Sequence, residues 1–173
     1  MDRAGLELVY GREFIASRVK RLASEINHDY RDREIVIVGV LKGSFMFLSD
    51  LVRELQSPVK IDFVQLASYG SGSTSSGLVE MRKDITLAVQ GKDVLIVEDI
   101  VDSGHSLEFL CQRLLGRGPR TLKTCVFLDK KACRVIPFEP NYVGIVVEDR
   151  FLVGYGLDHD EKYRNLAEIY SLR

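Results

Sequence analysis

Two hydrophobic rhythms alternate along this chain, and their succession predicts its elements. Near the N-terminus Ile15, Val19, Leu22 and Ile26 recur at spacings of four, three and four, which places them on one face of a helix. "EIVIVGVL", residues 34–41, is continuously apolar and rich in β-branched side chains, as expected of a strand buried on both faces. "FMFLSDLVRELQ", 45–56, returns to helical spacing and closes before Pro58, and "VKIDFVQL", 59–66, reads as a second strand. "DVLIV", 93–97, is a third strand, followed by a helix carrying Leu107, Leu110, Cys111, Leu114 and Leu115 that Gly116, Gly118 and Pro119 end. "LKTCVFL", 122–128, and "YVGIVV", 142–147, complete the set of buried strands.

Strands alternating with helices predict an α/β fold with a mainly parallel sheet. Ligands bind such sheets beyond the carboxyl ends of the strands. The stretches to inspect are therefore "LKGS", "SYGSG", "EDIVDSGHS", "DKKAC" and "EDRFLVGYGLD", each of which follows a strand. "SYGSGSTSSG", 68–77, has the composition of a flexible linker between domains. Neither half of the chain holds a complete sheet, so it reads instead as a mobile loop within one domain, where an active-site lid would sit.

At 173 residues, 46% apolar and 28% charged, the chain suits one ordinary globular domain, residues 1–173. A net charge of −1 provides no global field for nucleic acid or an anionic membrane, so any anion site has to be local. Cys111, Cys125 and Cys133 show no metal-binding spacing and read as reduced thiols of a cytosolic protein. The start, "MDRAGLELVYGREF", lacks a signal-peptide core, and no apolar run approaches the ~20 residues that span a bilayer. The expectation is a cytoplasmic protein with no membrane partner.

The densest chemistry lies in "VLIVEDIVDSGHS", 94–106. Its apolar run stops at Glu98 and Asp99, where burial is expected to end; Asp102 follows, and Ser103-Gly104-His105-Ser106 opens a helix. A sharp turn there leaves backbone N–H groups aimed outward at the positive end of a helix dipole, a site for a phosphate group. The same residues would equally make a plain N-cap through Ser103 or Ser106. The acids tip the balance. Adjacent carboxylates repel unless a cation or a hydroxyl-bearing ligand joins them, and magnesium or sugar hydroxyls would serve. Phosphate at one end and diol-binding acids at the other describe a sugar phosphate. Neither the Walker A loop nor GxGxxG is present.

This stretch resembles the 5-phosphoribosyl-pyrophosphate (PRPP) binding motif of the type I phosphoribosyltransferases: an apolar strand, two acids, two apolar residues, an Asp, then a hydroxyl-Gly-x-hydroxyl loop. The similarity extends further. "LKGS", 41–44, looks like the family's pyrophosphate loop, and "SY", 68–69, like the start of its lid. "DRFLVGYGLD", 149–158, and "KYRNL", 162–166, resemble the purine-site segment of the branch that acts on hypoxanthine and guanine. His105 stands at a variable position, and the lid after Tyr69 has no diagnostic match.

The resemblance implies a type I phosphoribosyltransferase-like fold, with helices flanking the sheet, a small hood carrying the purine site, and a lid over about residues 68–80. It implies transfer of the phosphoribosyl group from PRPP to N9 of a 6-oxopurine, with Mg2+ as cofactor and a homodimer or homotetramer as assembly. Glu98 and Asp99 would bind the ribose hydroxyls, directly or through magnesium, and Asp158 would be the second metal ligand. Ser103, Gly104, His105 and Ser106 would grip the 5-phosphate, while Asp102 would accept a proton at N7 of the base. Lys42, Gly43 and Arg164 would hold pyrophosphate, and the Leu41–Lys42 peptide can be cis in this family. Lys130, Phe151, Leu152 and Asp158 would form the purine site, and Ser68 and Tyr69 the root of the lid. Without the family, Phe151 is an ordinary core aromatic, Arg164 a solvated helical charge, and Lys130 indistinguishable from Lys131.

Three other readings compete. A xanthine- or adenine-preferring relative would differ in the residue facing C6 of the base. A regulatory protein of the same fold that binds nucleotide and RNA would carry a basic patch, which the dispersed Lys and Arg do not supply. A purely structural α/β protein would leave Glu98, Asp99, Asp102 and Asp158 without a role.

Overall fold

The computed structural model describes residues 5–68 and 79–172. Its centre is a six-stranded sheet in the order β4-β3-β2-β5-β6-β7. These strands are β2 (Ile35–Leu41), β3 (Val59–Ser68), β4 (Val79–Lys83), β5 (Asp93–Val101), β6 (Thr121–Asp129) and β7 (Tyr142–Val146). All neighbours are parallel except β4, which runs antiparallel to β3 at the edge. A second, antiparallel sheet of β1 (Leu6–Tyr10), β9 (Ile169–Leu172) and β8 (Leu152–Val153) forms the hood, in the order β1-β9-β8.

The continuous apolar character of β2 and β5 follows from having helices on both faces. Ile35, Ile37, Leu95 and Val97 pack with Ile15, Leu22 and Ile26 of α1 (Arg12–Asp29) and with Phe47 and Leu51 of α2 (Phe45–Glu54). Val36, Val38, Val94 and Ile96 point the other way, onto Leu107, Leu110 and Leu114 of α3 (His105–Leu115). Each such side chain contributes about 1.5–3 kcal/mol on burial.

Three differences from the hydrophobic pattern have physical causes. β5 runs four residues past Val97, through both acids, because its backbone stays paired with β6 as far as Val101 and Asp129. Backbone pairing is indifferent to whether a side chain is apolar. α2 ends at Glu54 rather than residue 56, since the Asn27 side chain donates to the Glu54 carbonyl (3.1 Å) and accepts from the Gln56 N–H (2.8 Å). Finally, β1, β4, β8 and β9 are short strands that the pattern does not reveal; β1 and β4 are also largely exposed. Among the described residues no helix is long and apolar enough to cross a membrane.

Asp62, almost buried on β3, anchors the chain that returns from β4. Its carboxylate accepts from the N–H groups of Phe63 (2.7 Å), Thr86 (2.6 Å) and Leu87 (2.9 Å), and from the Thr86 hydroxyl (3.1 Å). Burial pushes this carboxyl upward, but those donors outweigh it and hold it well below the ordinary carboxylate range. A depressed pKa gives stability that is present above the unfolded value, 3.8, and is lost as pH falls below it. Asp62→Ala is therefore expected to lose about 2–3 kcal/mol in urea unfolding at pH 7. The gap between the two proteins should close as the pH is taken from 5 toward about 2.

Candidate active site

The site is built on loops beyond the carboxyl ends of β2, β5 and β6, with the segment after β7 closing it. Its centre is the turn from β5 into α3. Gly104 is in the left-handed region (φ 94°) and is itself the N-cap of α3, so neither Ser103 nor Ser106 holds that position; the Ser103 hydroxyl oxygen accepts only a long bond from the His105 N–H (3.5 Å). A Cβ on Gly104 would meet Ile136 at 3.0 Å and Arg134 at 3.2 Å, a second reason for glycine. The first backbone bond of α3 runs from Glu108 N–H to the Gly104 carbonyl (3.0 Å). Ahead of it, the N–H groups of residues 103–107 donate to no backbone carbonyl among the described residues. A pocket of about 90 Å³ adjoins this turn, lined by Glu98, Asp102, Ser103, Gly104, Ser106 and neighbouring apolar residues. Such a nest at a helix N-terminus suits a phosphate. His105 starts the helix but does not line the pocket. Asp102 is exposed. A larger cavity of about 490 Å³ lies elsewhere, beside Ser57 and Pro58 at the N-terminal end of β3, far from these loops.

Because Glu98 and Asp99 are inside β5, the pleat separates them. Glu98 lines the phosphate-sized pocket, whereas Asp99 faces the loop after β2. There the Leu41–Lys42 peptide is cis, and a Cβ on Gly43 would fall 1.9 Å from the Asp99 carboxylate. Gly43 is in turn covered by Gly156 (φ 99°), whose Cβ would fall 2.0 Å from the Gly43 carbonyl. Two backbones and the Asp99 carboxylate thus meet with no room for a further side chain between them. Burial pushes Glu98 well above its ordinary pKa, with Asp99 adding to it. Burial raises Asp99 to about 6, against its own N–H and that of Ile100, and against Arg164.

Arg164 is not on a helix and is mostly buried; it pairs with Asp158 at 2.7 Å and donates to the Gly156 carbonyl at 2.8 Å. Glu161, unremarked in the sequence, accepts from Lys42 (2.9 Å) and lies 3.7 Å from Arg164. Its signal was its place three residues before Arg164 in "DHDEKYRNL". Among the described residues no three His, Cys, Asp or Glu side chains form a closed metal cage. Asp99 and Asp158, close enough to act on each other, are carboxylates that could hold magnesium in an open site, with positions left for waters and phosphates.

On the other flank, Lys130 is 9% exposed and its ammonium reaches Asp149 at 3.4 Å, while Lys131 is exposed and pairs with Glu139. Asp149 was the other unremarked partner; only contact across 19 residues reveals it. The Cys133 thiol, pushed up to about 11 by burial and then by its hydrogen bond to Asp149, also faces Asp102. Phe151 is 52% exposed, edge-on to His159, and so is not a core aromatic. Leu152 is buried in β8, opposite Ser171. Ser68 ends β3, paired with Val79. Tyr69 and residues 70–78 of the expected lid lie outside the described residues.

A family model of the phosphoribosyl transferase domain matches residues 10–160. A hypoxanthine-guanine phosphoribosyltransferase of Aquifex aeolicus is 49% identical over 168 residues, 96% of this chain and 94% of that protein. The bifunctional protein TilS/HprT of Listeria innocua is 40% identical over 96% of this chain but only 26% of its own length, so the chain spans about a quarter of that relative. Among solved structures, a hypoxanthine-guanine phosphoribosyltransferase of Bacillus anthracis with HEPES in its active site superposes at a TM-score of 0.92. It shares 42% identity and covers 96% of this chain and 98% of that one.

The stacked backbones make a direct test. Gly156→Ala, whose new methyl would meet a carbonyl at a positive φ, should cost roughly 1–3 kcal/mol in chemical unfolding. Gly5→Ala has a nearer positive φ (86°) and nothing within 4 Å, so its loss should stay near 1 kcal/mol or below. Equal losses would mean that the contact with Gly43 is unimportant.

Proposed function

The chain belongs to the phosphoribosyl transferase family, and from that premise we propose that it is a purine-salvage enzyme. It transfers the 5-phosphoribosyl group of PRPP to N9 of hypoxanthine or guanine, forming IMP or GMP and pyrophosphate. The observation that carries this reading is the phosphate-sized nest at residues 103–106, with the buried Lys130 on its β6 side and Asp99 and Arg164 on its β2 side.

The reaction breaks the bond from the anomeric carbon to pyrophosphate and forms one to N9, through a transition state with oxocarbenium character. Little covalent work is asked of the protein, so alignment and charge stabilisation dominate. The N–H groups and hydroxyls of Ser103 to Ser106 hold the 5-phosphate. Glu98, from the side of the β5–α3 turn, and Asp99, from the side of the loop after β2, accept from the ribose hydroxyls. The backbone of Lys42 and Gly43 and the guanidinium of Arg164 receive the departing pyrophosphate, releasing Glu161 and Asp158 from their present ion pairs. Asp102, exposed in the free protein, takes the proton from N7, and the exposed ring of Phe151 stacks on the base. Leu152 offers its backbone to the base edge, and Lys130 exchanges Asp149 for the 6-oxo group.

Magnesium, when bound, supplies charge neutralisation of the pyrophosphate, and Asp99, Asp158 and Glu98 are the carboxylates that would hold it, directly or through water. A homodimer or homotetramer belongs to the same reading, supported by the exposed apolar Phe45 and Ile61. So does a cytoplasmic location, supported by the free thiols of Cys111, Cys125 and Cys133. We further propose that residues 1–173 act as one domain, with Ser68 and Tyr69 at the root of the lid.

An assay with PRPP, magnesium and four purine bases tests the core of this. An ammonium has donors and no acceptor, so it favours a 6-oxo group and opposes adenine's amino group. Turnover of hypoxanthine and guanine should exceed that of adenine by roughly 10⁴-fold. Lys130→Met should lower kcat/KM for both oxopurines by roughly 10–100-fold. Efficient use of adenine, or an indifferent Lys130→Met, would remove the assignment of base specificity. The double variant Glu98→Gln/Asp99→Asn should keep its fold yet lose most PRPP affinity in calorimetry; unchanged affinity would refute the ribose role of the acids.

A further inference from the structure

The phosphate nest has a back side, and a segment of the chain in which only Lys130 has an assigned role occupies it. Three successive carbonyls leading into the nest are all engaged by residues 130–136. The Val101 carbonyl accepts from Lys130 N–H (3.0 Å), and the Ser103 carbonyl from Val135 N–H (3.1 Å) and Ile136 N–H (3.3 Å). The Asp102 carbonyl between them accepts from a side chain, Arg134 Nη1, at 2.6 Å. In a trans peptide the carbonyl and the following N–H point in opposite directions. Holding these three oxygens at the back therefore turns the next three N–H groups, those of Asp102, Ser103 and Gly104, toward the front.

Arg134 is well fixed for this task. Its other terminal nitrogen donates to the carboxylate of Asp129, the last residue of β6, which is fully buried; the Arg134 side chain is itself only 11% exposed. The stem of Arg134 also packs under Gly104, where an added Cβ would lie 3.2 Å from its Cδ. The guanidinium thus spans from the rigid end of β6 to the peptide that joins Asp102 to Ser103. Arginine's planar fork can serve two acceptors at a fixed angle, which the point charge of lysine cannot.

We propose that Arg134 is a positioning residue for the 5-phosphate of PRPP: held by buried Asp129, it clamps the Asp102 carbonyl and so aims the phosphate-binding N–H groups. The inference rests on the phosphoribosyl-transfer reading above. Without the clamp the Asp102–Ser103 peptide is free to rotate, exchanging an N–H donor for a carbonyl oxygen that repels phosphate.

The test separates two ligand groups of the same protein. GMP presents a 5-phosphate to the nest, whereas pyrophosphate engages Lys42, Gly43 and Arg164. Arg134→Lys keeps a positive charge beside Asp129 but breaks the fork. As a second variant, Asp129→Leu/Arg134→Met replaces the buried pair with apolar groups of similar size, a change that usually preserves stability. Calorimetry with GMP and with pyrophosphate, each with magnesium, should show GMP affinity falling about tenfold or more in whichever variants fold. Pyrophosphate affinity should move by less than about twofold. Unchanged GMP affinity in a folded variant overturns the proposal, as does an equal loss for both ligands, which would signify general damage. If the unmodified protein bound neither ligand, the phosphoribosyl-transfer reading itself would fall.

Discussion

The site depends first on the pairing of β5 with β2 on one side and β6 on the other. A buried parallel strand has both backbone edges satisfied, so it cannot slip without breaking two ladders and turning every side chain to the opposite face. That register brings the ends of the three strands together. It puts the phosphate nest after Val101, Lys130 beside it after β6, and Gly43 against Asp99 after β2. The close stacking of Gly156 on Gly43 on Asp99 is possible only because β5 holds the acid at one height while two glycines omit their side chains.

The cations of the site are already partnered. Each cation already has a carboxylate: Lys42 has Glu161, Arg164 has Asp158, and Lys130 has Asp149. An unpaired charge at the largely buried Arg164 and Lys130 would be costly, and their pairings avoid it; the Lys42 pair is exposed. In the proposed reaction an anionic or carbonyl ligand replaces a carboxylate instead of meeting a bare cation. That weakens binding somewhat and sharpens it, since only a ligand that supplies several acceptors at the right places can displace several pairs together. The phosphate nest is of another kind: it uses neutral N–H groups, which suits a protein whose net charge is −1.

Most of the architecture was legible in the sequence, because it rests on local periodicity and on one long motif. The alternation of apolar runs with helical spacing specified five of the six strands of the central sheet and three helices, and "VLIVEDIVDSGHS" marked the turn at which α3 opens with unpaired N–H groups. The hood strands were not legible, as β8 has only two residues and β1 is too exposed to show alternation. Nor was the length of β5, since its continuation through Glu98 to Val101 is decided by the neighbouring backbone of β6.

What the sequence determined by itself was therefore the kind of fold, the position of the phosphate turn and the chemical types present near it. What only the tertiary structure decided was orientation and partnership. It sent Glu98 and Asp99 to opposite faces of the sheet, buried Lys130 and exposed Lys131, and brought Phe151 to the surface. It also paired Lys42 with Glu161 across 119 residues, and Arg134 with the Asp102 carbonyl across 32. The reason is the range of the forces involved. Helix and strand preferences act over a few neighbouring residues, whereas a salt bridge or a clamp on a carbonyl requires two distant segments to have been packed together first.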